Sequence, residues 1–153
     1  MFRQGQEIVY PMHGVGVIEK IEDGKYYIIR IPNGSVRIRI PKERVREMGI
    51  RPLLKREEVE QSLKATGTGA AISSDNWNLR YKENLERLRS GKLEQAAEVV
   101  KVLTERERKK KLSIAEGRLL GMARQIVLSE VISVYEINGE RAEELLANWM
   151  EIG

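Results

Sequence analysis

Over the first fifty residues short runs of β-forming side chains are separated by turn signals, and from about position 56 onward the apolar positions follow a helical period. Ile8-Val9-Tyr10 stops at Pro11, and Val15-Gly16-Val17-Ile18-Glu19-Lys20-Ile21 follows a glycine turn at Gly14. Tyr26-Tyr27-Ile28-Ile29-Arg30-Ile31 is dense in β-branched and aromatic side chains, which favour strands. Between these runs Asp23-Gly24 predicts a hairpin, because a type I′ turn needs positive φ at both central residues. Asn33-Gly34 predicts a second one. Val36-Arg37-Ile38-Arg39-Ile40 then alternates strictly, with Val36, Ile38 and Ile40 on one side and Arg37 and Arg39 on the other, until Pro41 ends the run. Four or five short antiparallel strands in about 45 residues predict a small SH3-like or Tudor-like barrel.

Arg56 to Lys64 predicts a short helix with Val59 and Leu63 inward, and the small-residue stretch from Thr66 to Ser74 reads as a loop. Asp75 or Asn76 can cap the next helix, about Trp77 to Arg89, which stops at Ser90-Gly91. A helix from about Leu93 to Lys110 puts Leu93, Ala96, Ala97, Val100 and Leu103 on one face. Ser113-Ile114-Ala115-Glu116 matches a capping box. The helix that it opens runs to about Ser133, with Leu119, Leu120, Ala123, Ile126, Val127 and Val131 as its apolar stripe. Gly139 to Trp149 closes the chain with Ala142, Leu145, Leu146 and Trp149. The expected class is α+β: a small β-barrel followed by an all-α helical bundle. The change of period places the boundary near 51–56, dividing the chain into 1–52 and 53–153.

Composition narrows the function. The chain has no cysteine and a single histidine, which leaves no thiolate zinc site, cysteine nucleophile or histidine metal cluster within one chain. His13, in Tyr10-Pro11-Met12-His13-Gly14-Val15-Gly16, reads as a turn residue, since neither a nucleophile nor an orienting carboxylate is indicated beside it. Gly14 and Gly16 lack the rest of a dinucleotide loop, and Gly91-Lys92 lacks the upstream glycine of a P-loop. No apolar run reaches the roughly 20 residues that span a bilayer, and Met1-Phe2-Arg3-Gln4-Gly5-Gln6-Glu7 holds no apolar stretch of the length that a signal peptide needs. The expectation is a soluble, intracellular protein that is not an enzyme and carries no metal or cofactor.

Charge adds a direction. The 153 residues hold 27 Lys and Arg against 23 Asp and Glu, net +4. Residues 1–55 carry 11 against 6, net +5, whereas 56–153 carry 16 against 17, net −1. A basic first half points to an anionic partner or to a well-solvated surface. Beyond it lie two basic clusters, Arg80, Lys82, Arg87, Arg89 and Lys92, then Arg106, Arg108, Lys109, Lys110 and Lys111. The final stretch is acidic.

Two segments read as binding surfaces. Arg37 and Arg39 flank an edge-like strand, which can accept a strand from an acidic partner or simply guard the edge against aggregation. Trp77 recurs at helical spacing with Tyr81, Leu85 and Leu88, and on residue chemistry alone core is the better reading for all four. Trp77 also lies in a first helical turn with Arg80 and Lys82 in reach, the arrangement of a minor-groove wedge in which cations hold the backbone.

The chain resembles the CarD/CdnL family of bacterial RNA polymerase-binding transcription regulators. The resemblance rests on Gly5-Gln6-Glu7-Ile8-Val9-Tyr10-Pro11-Met12-His13-Gly14-Val15-Gly16, Val36-Arg37-Ile38-Arg39-Ile40-Pro41 and Gly49-Ile50-Arg51-Pro52. It continues through Asn76-Trp77-Asn78-Leu79-Arg80-Tyr81-Lys82-Glu83-Asn84-Leu85, Ser90-Gly91-Lys92, Ala97-Glu98-Val99-Val100 and Leu112-Ser113. A similar barrel occurs in the transcription-repair coupling factor, a far longer enzyme with helicase motifs.

The resemblance implies that the Tudor-like domain docks on the RNA polymerase β subunit through Arg39, with Arg37, Ile38 and Pro41 as neighbours. It implies that Trp77 wedges into the distorted minor groove of promoter DNA at the upstream edge of the bubble, with Arg80 and Lys82 on phosphates. Stabilisation of the open complex, recognition by shape, and a cytoplasmic, nucleoid-associated protein with no cofactor, membrane or small-molecule partner follow from the same likeness. Two departures stand out: Leu79 occupies a position often basic in the family, and the turn Glu22-Asp23-Gly24-Lys25 replaces a longer, often basic loop. A free-standing nucleic-acid-binding module using the basic barrel is the alternative reading.

Overall fold

The computed structural model describes residues 1–32, 35–66 and 76–151. The Asn33-Gly34 turn, residues 67–74 of the expected loop and the alternative cap Asp75 lie outside the described residues. Five strands, β1 (Glu7–Tyr10), β2 (Gly14–Glu22), β3 (Tyr26–Ile31), β4 (Val36–Pro41) and β5 (Arg51–Pro52), form one antiparallel sheet in the order β4-β3-β2-β1-β5. Asp23 and Gly24 both take positive φ, 53° and 64°, as the hairpin between β2 and β3 requires. Ile8, Ile18, Tyr27, Ile29, Ile31 and Ile40 from β1 to β4 bury together with Ile50, so the sheet wraps its own small core.

Five helices follow: α1 (Arg56–Ala65), α2 (Trp77–Arg89), α3 (Leu93–Lys109), α4 (Ile114–Tyr135) and α5 (Gly139–Met150). The stripes expected on α1, α3 and α4 are buried, and they merge into one core. The acidic final segment closes this bundle. Ala142, Leu146 and Met150 of α5 are buried in it, and Lys101 Nζ donates to the Met150 carbonyl at 2.6 Å. A cation at a helix C-terminus meets both an orphan carbonyl and the negative end of the macrodipole.

The α2 stripe differs from expectation. Its deepest line runs through Arg80, Asn84 and Leu88, whereas Tyr81 and Leu85 are half-buried and Trp77 is exposed. A polar line can be buried here because Arg80 finds a carboxylate on α4.

Sheet and bundle are joined by paired polar groups. Arg51 of β5 donates two hydrogen bonds to Glu130 of α4, at 2.8 and 2.7 Å, and Leu54 N donates a third at 2.9 Å. Arg51 Nε also donates to the Gly91 carbonyl at 2.8 Å, and Val15 N to Ser129 Oγ at 3.1 Å. At Gly91 (φ +76°) a Cβ would stand 2.9 Å from the Gly49 carbonyl oxygen, so this close approach requires glycine.

Candidate functional site

Two surfaces carry the residues singled out above, and each is built by its own element. β4 ends the sheet, so its outer edge has no strand partner among the described residues. The alternation of Val36 to Ile40 buries Ile40, half-buries Ile38 and leaves Arg37 and Arg39 exposed on the other side. Val36, expected on the same inward side as Ile38 and Ile40, is 40% exposed at the strand's start. Arg37 Nε reaches across β3 to both carboxylate oxygens of Glu19, at 2.9 and 3.2 Å. Arg39 Nε binds Glu22 at 2.9 Å, and its guanidinium lies 3.7 Å above the Tyr26 ring. Hydrogen bonding to Glu22 raises the Arg39 pKa further, so this edge keeps its cation at any working pH. The arginines thus sit in a surface lattice of alternating charge, each held flat against the sheet. Pro41 closes the strand, half-buried.

The second surface is the corner where α2 and α4 begin. Asn76 caps α2 by accepting from Leu79 N at 3.3 Å, which places Trp77 in the first turn. Trp77 remains 42% exposed although its indole is fixed on two sides. Its ring stacks on Tyr81, with centroids 5.5 Å apart and planes 15° apart, and Nε1 donates to Ser113 Oγ at 3.1 Å. Exposure with a fixed orientation is what an inserting side chain needs, because little rotamer entropy remains to be lost on contact.

Ser113 also caps α4, accepting from Glu116 N at 3.1 Å. Only this half of the capping box forms through the side chains. The Glu116 carboxylate turns inward to Arg80 instead, at 2.7 and 3.0 Å, in a pair whose side chains are almost wholly buried. A buried carboxylate gains more from a two-pronged guanidinium than from a single amide. Arg80's hydrogen bonds hold Glu116 below the ordinary carboxylate range, outweighing the burial that pushes the other way.

The structure places Arg80, expected on a phosphate, at 4% exposure and bound to Glu116, where it fixes the first turn of α2 from inside. Lys82 is exposed and makes no ion pair among the described residues. Leu79 is 46% exposed and Ile114, directly after Ser113, is 78% exposed, so two further large apolar side chains are open to solvent at the starts of α2 and α4. Ser113 and Glu116 are the residues that sequence reasoning assigned to a cap alone. Their second role joins positions 36 apart, a distance over which local patterns carry no signal.

His13 is exposed, edge-on to Tyr10 and hydrogen-bonded to the Pro11 carbonyl through Nδ1 at 3.3 Å, a turn arrangement. Among the described residues there is no group of three or more His, Asp or Glu placed to hold a metal. No described helix is long and apolar enough to cross a membrane.

Comparison with known proteins matches both halves. Residues 58–147 match the family described as CarD, C-terminal domain, and residues 2–54 match the CarD-like/TRCF RID domain. A protein of Bacillus subtilis (strain 168) named "Putative transcription factor YdeB" is 31% identical over 138 residues, covering 86% of this chain and 90% of that protein. With both halves matched in order, the chain belongs to the CarD/CdnL family of transcription factors.

Proposed function

We propose that this protein tethers itself to the RNA polymerase β subunit through the β4 edge and presses Trp77 into promoter DNA at the upstream edge of the transcription bubble. Arg39 is the central docking residue, with Arg37, Ile38 and Pro41 beside it. Lys82 approaches a phosphate, while Arg80 acts from within by fixing the helix that carries Trp77. Docked at both ends, the chain opposes bubble collapse and lengthens the life of the open complex.

The observation that carries this reading is Trp77: a large apolar ring, exposed yet held by Ser113 and Tyr81. A tryptophan needed only for packing gains nothing from such exposure, whereas a wedge requires it. Recognition by this route reads deformability at a weakened base step more than base edges. The match to the CarD-like/TRCF RID domain supports polymerase as the protein partner. The resulting protein is a cytoplasmic regulator and not an enzyme.

A module that binds nucleic acid through the barrel alone is less well supported. Base stacking needs open aromatic faces. Tyr27 is buried, and Tyr26 lies under the Arg39 guanidinium.

The test is the lifetime of open complexes formed by a cognate polymerase on one promoter, with and without the protein. A longer lifetime supports the proposal; an unchanged lifetime at saturating protein refutes it.

A further inference from the structure

The lysines at the α3–α4 junction take no part in the interfaces described so far. Lys109 ends α3, Lys110 is its C-cap with extended backbone (φ −158°, ψ 139°), and Lys111 follows. All three are exposed and none makes an ion pair among the described residues. Leu112 is buried and pins the run to the bundle, and the next residue is Ser113, whose Oγ lies 3.1 Å from the Trp77 indole nitrogen. Two residues of chain span at most about 7 Å, so the Lys111 backbone lies within that distance of Ser113, with Lys110 one residue beyond.

On its own helix, Trp77 has little cationic support. Arg80 is buried against Glu116, which leaves Lys82 as the exposed cation in the first two turns of α2. The junction supplies three more on another side of the same corner. A cation in the last turn of α3 complements that helix's dipole, which accounts for Lys109. It does not account for Lys110 and Lys111, which lie past the last helical residue. Three neighbouring ammonium groups with no ion-paired carboxylate among the described residues repel one another, and a polyanion relieves that repulsion.

We propose that Lys109, Lys110 and Lys111 form a second phosphate-binding element, which grips the DNA backbone flanking the step that Trp77 and the exposed Ile114 press on. This rests on the reading that Trp77 faces DNA. The lysines act as point charges on phosphates, so they add affinity and salt sensitivity without sequence preference.

The experiment is a salt titration of full-length protein binding to a duplex with a premelted bubble, without polymerase. Two doubles with the same change in charge are compared with wild type: Lys110→Gln/Lys111→Gln and, remote from the corner, Lys20→Gln/Lys25→Gln. The slope of log affinity against log salt should become shallower by about 1.8 in the first, roughly 0.9 for each phosphate no longer neutralised, and stay unchanged in the second. Equal flattening in both doubles would reduce the effect to overall charge and overturn the proposal. An unchanged slope in the first double, with Trp77→Ala still weakening binding, overturns it while leaving the wedge standing. If wild type shows no salt-dependent binding, both fall together.

Discussion

Arg80 and Glu116 form a two-pronged ion pair, 2.7 and 3.0 Å, one turn further into the bundle from the bond between Trp77 and Ser113. The pair joins the first turns of α2 and α4 at the point where the tryptophan emerges. Removing either partner strands a buried charge, so Arg80→Met or Glu116→Leu alone should cost about 3–5 kcal/mol. The double substitution should recover most of that loss, since an apolar pair of similar volume needs no counter-charge. Urea denaturation of the four proteins checks this. Additive losses would show that the two side chains act independently.

The same pair sets an acid dependence. Arg80's hydrogen bonds lower the folded-state pKa of Glu116 below its ordinary value of 4.5, although burial opposes them. A carboxyl whose folded pKa is lowered stabilises the fold fully above its unfolded pKa, and that contribution is lost as pH falls through the folded value. Stability should therefore fall more steeply between neutral and acid pH in wild type than in Arg80→Met/Glu116→Leu. Parallel profiles would mean that other carboxylates govern the acid limb.

Trp77 should matter far more for function than for folding. Trp77→Ala removes the stack on Tyr81 and the bond to Ser113, which at an exposed site costs about 1 kcal/mol. Its effect on open-complex lifetime should be nearly complete. Trp77→Phe keeps a flat ring but loses the Nε1 donor, so it should retain part of the effect. A Trp77→Ala protein that melts far below wild type would return the ring to a packing role.

Glu130 and Gly91 should set the geometry between sheet and bundle. Glu130→Ala leaves Arg51 and Leu54 N without their partner, at a cost of about 2–3 kcal/mol because Arg51 keeps some access to water. Gly91→Ala adds strain at φ +76° and brings a Cβ 2.9 Å from the Gly49 carbonyl oxygen. Both variants should broaden the distance distribution in small-angle scattering and shorten the life of open complexes even where each half stays folded. Unchanged scattering from both would show that these bonds do not fix the geometry.

Most of the architecture is legible in the sequence because it is written in local periods. The alternation from Val36 to Ile40, the Asp23-Gly24 turn and the stripes of α3 and α4 each need only neighbouring residues to be read. The site is legible by type and less so by arrangement. Spacing groups Trp77 with Tyr81, Leu85 and Leu88, yet the buried line on α2 is turned toward Arg80 and Asn84. That rotation follows from Glu116 on another helix, and a partner 36 residues away leaves no mark on the local pattern. The join through Arg51 and Glu130 is hidden for the same reason, across 79 positions.

The central claim is that one molecule holds polymerase and DNA at once. Arg39→Glu sets a second carboxylate beside Glu22 and should abolish docking on the β subunit while leaving DNA binding intact. Trp77→Ala should do the reverse. The decisive measurement is open-complex lifetime with wild type, with each variant alone and with the two variants mixed. Bridging within one chain predicts that each variant fails alone and that the mixture fails as well. A mixture that restores the wild-type lifetime would contradict it, because the two surfaces would then act from separate molecules.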